Sequence, residues 1–466
     1  MPRKVEVAKA LQVRRPGGAD TKVELPQEKP ILATAELMCT GEGSVIATPR
    51  SSNIYYKNAI KLSSLRKAWR LVRENGAISK SEDTRAQIER FSLQTETNLG
   101  RIYRKLLHER FSFPPPIGIA KKRDGKIPRP LVVSPIEGRI VQRSLLDVLQ
   151  HEPKLDSYYK NPTSFGGIRE KGVPDAISAL CTAFKKGASH YIRSDIENFF
   201  SNIPRLEVLD KLSGIIDDEK FNRLLKDATY SELENLIELG KHAVLFPTYE
   251  IGVAQGCCLS PLFGNILLHE FDGQLNQRNI TCIRYIDDFI ILGPSMSSVR
   301  KAFAAGQSRL SRLGLIAYDP AKNPEKAEAG EFKSGLQFLG CEIRPGFVRP
   351  SKGSRKRLLD SIEALFAKSA SSMAEPHRLA DAKLSLVETL RKANNVIKGW
   401  GNQYAFCNDR ELMGALDSKI NPLIDRYLDS YIKRRDGTDK ANYNKERRRL
   451  MGIHLLTDSK RDPIIW

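Results

Sequence analysis

Two adjacent carboxylates, Asp287 and Asp288, lie between two runs of β-branched and apolar residues, Thr281-Cys282-Ile283-Arg284 and Phe289-Ile290-Ile291-Leu292. Such runs read as strands, and the short gap between them as a tight β-hairpin with Tyr285-Ile286-Asp287-Asp288 at its tip. Placing like charges side by side between buried strands is expensive unless a counter-charge is present. A bound divalent cation would supply one. An acidic pair alone constrains little, since Asp217-Asp218 is another and reads as solvated helix or turn surface. What sets Asp287-Asp288 apart is its apolar frame and a third carboxylate upstream.

That carboxylate is Asp195, in Tyr191-Ile192-Arg193-Ser194-Asp195-Ile196-Glu197-Asn198-Phe199-Phe200. Tyr191 and Ile192 read as a strand end, with Asp195 where the strand gives way to a turn. Mg²⁺ prefers oxygen ligands and commonly shares them with substrate phosphates. Two such ions about 3.5–4 Å apart can clamp the attacking and leaving oxygens of a phosphoryl displacement. Three carboxylates from two adjacent β-elements are a minimal ligand set for that chemistry; three surface carboxylates near strand ends are the alternative.

Between the acidic sites lies Gly252-Val253-Ala254-Gln255-Gly256-Cys257-Cys258-Leu259-Ser260-Pro261-Leu262. With it the chain resembles the reverse transcriptases, especially bacterial ones related to group II introns, retrons and defence-associated enzymes. The family's motif order runs across roughly residues 100–345. Arg129-Pro130-Leu131-Val132-Val133 leads into Arg139-Ile140-Val141-Gln142-Arg143, and then Ser164-Phe165-Gly166-Gly167-Ile168-Arg169. The Asp195 strand, Gln255-Gly256 with Ser260-Pro261, and the acidic hairpin follow. Leu313-Gly314-Leu315 with Lys322, and Phe338-Leu339-Gly340, close the series.

The resemblance implies an α+β, right-hand polymerase fold with fingers, a palm of antiparallel sheet backed by helices, and a helical thumb. It implies that Asp195, Asp287 and Asp288, with Ile196 beside them, hold two Mg²⁺ ions, for which Mn²⁺ is a substitute. Lys322 stands where the family carries a lysine proposed to protonate the pyrophosphate leaving group, with Lys326 close enough to compete. Lys121 to Arg129 reads as a basic hairpin around an Asp-Gly turn. Folded back, it would hold Lys122 and Arg129 over a triphosphate, or stand as an ordinary exposed hairpin kept soluble by charge. Phe200 occupies the family's sugar-gate position, where a ring would clash with a 2′-hydroxyl, the group that marks RNA. A core aromatic is its other reading. Gln255 resembles the glutamine that lies against the nucleotide, and Gly256 allows close backbone approach. Tyr285 with Phe338, Leu339 and Gly340 would contact primer and template.

The pattern also departs from the family. Group II enzymes usually carry Ala where this chain has Ile286, Gly where it has Cys257, and Pro where it has Ala254. These departures point toward a defence-associated lineage. The expected activity is RNA-directed DNA polymerisation with dNTPs on a DNA/RNA primer-template, copying a structured non-coding RNA in an antiphage system, alone, as a homo-oligomer or with a partner protein. Template-independent or protein-primed DNA synthesis on the same site, or a maturase-like RNA-binding role in a mobile intron, are the alternatives.

Composition agrees with a nucleic-acid partner: the formal net charge is +20, which favours polyanions. Seven cysteines show no zinc-type spacing, and Cys257-Cys258 are too close to chelate one metal easily. With no signal peptide and no stretch long enough to span a bilayer, a reducing cytoplasm and no membrane are expected. Five regions follow: an N-terminal extension over 1–60, partly flexible; fingers over 61–190; palm over 191–348; a thumb or maturase-like region over 349–435; and a basic tail over 436–466. Ile88, Phe91, Leu99, Ile102 and Leu106 predict fingers helices packed on one face. Leu358, Leu359, Ile362, Leu365 and Phe366 predict a thumb helix, and Trp400 and Tyr404 a place in the thumb core.

Overall fold

The computed structural model describes residues 53–455, apart from 80, 124, 380–381, 438–442 and 454. The expected extension up to residue 52, Asp124 of the basic hairpin and the apolar end Ile464-Ile465-Trp466 lie outside the described residues. A helix over Ile54–Ile60 stands at the end of the stretch expected to be an extension. It buries Tyr56, Ala59 and Ile60 in the largest apolar cluster among the described residues.

Three helices follow, Leu62–Ala77, Glu82–Ser92 and Thr95–Leu107. Ser81 caps the second, its Oγ accepting from the Thr84 N–H at 3.2 Å, while Glu82 and Asp83 complement the positive end of the helix dipole. Ile88, Phe91, Leu99, Ile102 and Leu106 are all buried, on one face as their spacing predicts. The last of these helices ends at Leu107, and Pro114-Pro115-Pro116 in the extended stretch after it keep helix from resuming. The chain then enters an antiparallel hairpin of β1 (Ile117–Arg123) and β2 (Lys126–Val133), whose register shifts between Lys121 and Arg123.

The central sheet contains β3 (His190–Ser194), β4 (Thr281–Tyr285), β5 (Asp288–Gly293) and β6 (Glu328–Glu331), in the order β4-β5-β3-β6 with every pair antiparallel. Both faces are covered, and side chains alternate between them. Ile192, Cys282, Phe289 and Ile291 join the large cluster with the helices Ser260–Leu267, His269–Leu275 and Met296–Arg312. Tyr191, Ile283, Ile290 and Leu292 face the other way, onto the helix Val173–Lys185 and a second sheet. Two covered faces explain why the strands read as apolar runs rather than as alternating patterns. The strands that carry or border the acidic residues, β3 and β5, are central.

The second sheet is β7 (Leu336–Phe338), β8 (Cys341–Arg344) and β9 (Phe347–Pro350), a meander ending at the thumb. Thumb helices Lys352–Ser372, Leu386–Gln403 and Arg410–Asp436 enclose their own core. Leu358, Ile362 and Phe366 are buried there, with Phe366 stacked on Tyr427 at 4.5 Å between ring centroids. Leu359 and Leu365 pack at its margin. Trp400 Nε1 and Tyr404 Oη both meet Ser354 Oγ, at 3.1 and 2.8 Å. Helical fingers with a basic hairpin, an antiparallel palm backed by helices, and a helical thumb make this an α+β right-hand fold. Among the described residues no helix is long and apolar enough to cross a membrane.

One expectation fails. Asp217-Asp218 is not simply solvated surface. Asp217 is exposed, but Asp218 is buried and caps the helix Glu219–Thr229, accepting from the Phe221 N–H at 3.0 Å. Its second oxygen accepts from the Tyr56 N–H at 2.8 Å, tying the first described helix to the body.

Candidate active site

The hairpin forms where the two apolar runs place it. Tyr285 pairs with Asp288, leaving Ile286 and Asp287 as a two-residue turn. Ile286 has φ +63°, whereas Asp287 does not lie in the left-handed region. A positive φ at the first turn position alone is the pattern of a type II′ turn, where glycine is the usual residue. A β-branched side chain held there costs about 1–3 kcal/mol.

The surroundings hold that conformation. Arg284 is fully buried and forms a bidentate pair with buried Asp272, at 2.7 and 2.6 Å. Its Nη1 donates to the Ile286 carbonyl and to Asn265 Oδ1, both at 3.0 Å. Removing one partner of such a buried pair costs roughly 3–5 kcal/mol, because the other charge is left uncompensated. Beside the tip runs Ser164-Phe165-Gly166-Gly167, hydrogen-bonded to β4 through the Phe165 N–H and the Arg284 carbonyl at 3.0 Å. A Cβ on Gly166 would lie 2.5 Å from the Ile286 nitrogen, and one on Gly167 2.3 Å from Pro261 Cβ. Glycines are required there because the hairpin and the Ser260-Pro261 helix start approach so closely.

Asp195 follows β3, whose Ser194 pairs with Phe289, so it emerges next to the hairpin tip. The Ile196 N–H donates to the Asp287 carbonyl at 3.3 Å, and the Tyr318 N–H to the Asp195 carbonyl at 3.1 Å. Burial, then the Asp287 and Asp288 charges, push the Asp195 carboxyl up to about 7. Burial and Asp287 push Asp288 up to about 6. Burial raises Asp287 too, partly offset by backbone hydrogen bonds, Arg129 and Lys326. Among the described residues Asp195 Oδ1 is buried without a hydrogen-bond partner, and Lys326 Nζ lies 3.9 Å from Oδ2.

Three carboxyls that stay raised despite Arg129 and Lys326 fit a hard divalent cation, which would satisfy the orphaned oxygen and favour the ionised carboxylates. Among the described residues, no three His, Cys, Asp or Glu side chains converge closely enough to hold a metal by themselves. That is compatible with Mg²⁺, which keeps several waters and binds through one or two carboxylates plus substrate phosphates.

A groove of about 720 Å³ opens over these carboxylates, lined by Asp195, Asp287, Arg129, Phe200, Gln255 and Gly256 among others. Phe199 is buried in the core cluster and half-buried Phe200 packs at its edge, with ring centroids 5.5 Å apart; both line the groove. Gln255 is fixed by its backbone: its carbonyl accepts from the Val132 N–H at 2.8 Å, in a parallel bridge to β2. Gly256 has φ +122°, and a Cβ there would lie 2.7 Å from the Val132 carbonyl oxygen. Ser260 Oγ donates to the Ala254 carbonyl at 2.7 Å, bracing the same segment.

The structure does not gather every residue singled out in the sequence. Lys322 is exposed and outside the groove, whereas Lys326 lines it, 5.0 Å above the Tyr318 ring. Lys122 is exposed on β1 and does not line the groove, while neighbouring Arg123 does. Phe338, Leu339 and Gly340 form the β7–β8 turn, away from the groove lining. Phe338 is buried, with Leu339 and Tyr285 packed at the edge of the same cluster. Tyr318, Arg284, Asp272 and Asn265 are the participants that sequence reasoning missed. Arg284 precedes the acidic tetrapeptide on a strand that otherwise reads as apolar, and a lone Arg in such a run is the one available signal of a buried partner.

Residues 119–343, just under half the chain, match the family model described as reverse transcriptase (RNA-dependent DNA polymerase). Over 178 residues, 37% of this chain and 20% of the relative, it is 30% identical to the "Uncharacterized 91 kDa protein in cob intron" of Schizosaccharomyces pombe. It is 30% identical to the protein YkfC of Escherichia coli over 34% of this chain and 40% of that one. It is 29% identical to the group II intron-encoded protein LtrA of Lactococcus lactis, over 33% of this chain and 24% of that one. The matched region thus spans between a fifth and two fifths of these relatives' lengths.

Proposed function

From a chain whose residues 119–343 match the reverse transcriptase family model, we propose that the groove polymerises deoxynucleotides on an RNA template. The observation that carries this reading is the meeting of Asp195 and Asp287 with Arg129, Phe200, Gln255 and Gly256 in one groove. Asp195, Asp287 and Asp288, with the adjacent Ile196, would hold divalent cations, Mg²⁺ by the oxygen-only character of the donors. When bound, these cations neutralise phosphate charge and lower the pKa of an attacking hydroxyl.

The remaining work falls to the chain's own side chains. Arg129 offers a planar fork for bidentate contact with triphosphate oxygens. Gln255, fixed through its carbonyl to β2, forms the floor against which the nucleotide is seated. Phe200 excludes a 2′-hydroxyl by its bulk, which selects dNTPs. Lys326, within reach of Asp195, is better placed than Lys322 to give a proton to the departing pyrophosphate. The β7–β8 turn and Tyr285 border the path of the primer-template.

The narrower setting we propose is a bacterial antiphage system with a dedicated structured RNA. The departures at Ile286, Cys257 and Ala254 from the intron pattern support it. The test is extension of a DNA primer on an RNA template with Mg²⁺ and dNTPs, followed by sequencing of nucleic acid that copurifies with the protein. Incorporation that disappears in Asp287→Ala/Asp288→Ala supports the polymerase, and Phe200→Ala should relax selection against rNTPs by about 10-fold or more. Incorporation without template, or a product covalently attached to protein, overturns the RNA-templated reading in favour of untemplated or protein-primed synthesis. Biological activity that survives Asp287→Ala/Asp288→Ala would favour an RNA-binding role.

A further inference from the structure

We propose that Arg284, held by Asp272 and Asn265, is a positioning residue that sets the aim of the Asp287–Asp288 pair by pinning the Ile286 carbonyl. The inference rests on the reading that Asp195, Asp287 and Asp288 carry the chemistry. The turn places a β-branched residue at φ +63° where a glycine would rest without strain. Left to local preferences, the Ile286–Asp287 peptide would rotate, and the Asp287 side chain, one bond further along, would turn with it.

Arg284 opposes that rotation from inside the protein. Both Nη1 bonds are committed, one to the Ile286 carbonyl and one to Asn265 Oδ1. Nε and Nη2 are committed to the two oxygens of Asp272. A guanidinium fixed at three corners has no freedom to follow the turn, so the turn must follow it. Asp272 is itself held by Asn161 Nδ2 at 3.0 Å, and Asn265 Nδ2 donates to the Gly166 carbonyl at 3.0 Å. Gly166 then closes the tip from the side, 2.5 Å being all that separates its missing Cβ from the Ile286 nitrogen. The arrangement couples a buried ion pair to the backbone between two residues of the acidic hairpin. None of its members lines the groove.

Lysine in place of Arg284 retains the charge opposite Asp272 but cannot reach Asp272, Asn265 and the Ile286 carbonyl together. Arg284→Lys, Ile286→Gly and the double variant should be compared with wild type and with Asp287→Ala/Asp288→Ala. Three quantities are needed: thermal melting, kcat and KM for dNTP, and Mn²⁺ affinity by electron paramagnetic resonance without substrate. Arg284→Lys should lower kcat by roughly 100-fold with dNTP KM little changed, and weaken Mn²⁺ binding by roughly 10-fold or more. Ile286→Gly, which takes the turn conformation unaided, should restore at least about 10-fold of the lost kcat when combined with Arg284→Lys.

A folded Arg284→Lys variant with wild-type kcat and Mn²⁺ affinity overturns the inference. So does a double variant whose losses simply add. Should Arg284→Lys fail to fold, Gly166→Ala moves the tip without touching the ion pair. It should show the same kcat and Mn²⁺ losses, and normal values in it also overturn the inference. If Asp287→Ala/Asp288→Ala remains active, the catalytic reading has failed; if that variant is inert while Arg284→Lys equals wild type, only the positioning role has.

Discussion

Two of the hairpins that close with two-residue turns, β7–β8 and β4–β5, are built in opposite ways. In the β7–β8 turn Leu339 and Gly340 both have positive φ, +47° and +78°. That is the type I′ pattern, with glycine where it is preferred. A Cβ on Gly340 would also lie 2.9 Å from Tyr404 Oη, so the same glycine admits a thumb residue. In the β4–β5 turn Ile286 alone is left-handed, and the support comes from Arg284, Asn265 and Gly166. In one turn a glycine takes its left-handed conformation without strain, whereas in the other Ile286 is held by residues drawn from three separate segments. The difference separates a turn of uncharged residues from one that carries a carboxylate into the groove.

The sharpest way to break the comparison is to remove the presented charge. Asp287→Ala/Asp288→Ala should reduce dNTP incorporation by roughly 10³-fold or more in primer extension. Melting of the metal-free protein should be preserved or raised, because burial holds both carboxyls above their ordinary range. The β7–β8 turn should answer in reverse. Gly340→Ala forces a side chain into a left-handed position and against Tyr404, and should cost about 1–3 kcal/mol in denaturant unfolding. Its kcat at saturating primer-template should stay within a few-fold of wild type.

A smaller effect separates the two by pH. Asp195 binds its proton up to about 7 when folded, against an ordinary value of 3.8. A carboxyl raised on folding binds more protons in the native state, so stability falls as pH rises from about 4 to about 7. Asp195→Asn should flatten that decline in melts recorded with chelator, and adding Mn²⁺ at pH above 7 should raise the wild-type melting temperature more than that of Asp195→Asn. A pH profile identical in the two proteins would place the burden elsewhere. The smallest effect is expected from Ile286→Gly. Relief of backbone strain and loss of side-chain packing oppose each other there, and unfolding should shift by no more than about 1 kcal/mol.

Much of the frame was legible in the sequence because it is local. Apolar runs flanking Asp287-Asp288 give strands, and the spacing of Leu99, Ile102 and Leu106 gives a helix face. The misreadings share a cause in long-range contact. Asp218 resembles any acidic surface pair until Tyr56, 162 residues away, donates to it. Lys322 and Lys326 lie in a turn-rich segment without strand or helix periodicity, so nothing in their spacing tells which faces Asp195. Ile286 gives no warning of a left-handed backbone, because its residue type opposes that conformation and only the buried Arg284 network overrides it.

The bond between the Val132 N–H and the Gln255 carbonyl has a mechanical consequence. It makes the base of the basic hairpin and the floor of the groove one rigid piece, since the missing Cβ of Gly256 leaves the two backbones in contact. Arg129 pairs with Lys121 on the anchored side of the register shift; Arg123 lies beyond it. Arg129 is therefore held over the floor of the groove, on the side of the hairpin that this bond anchors.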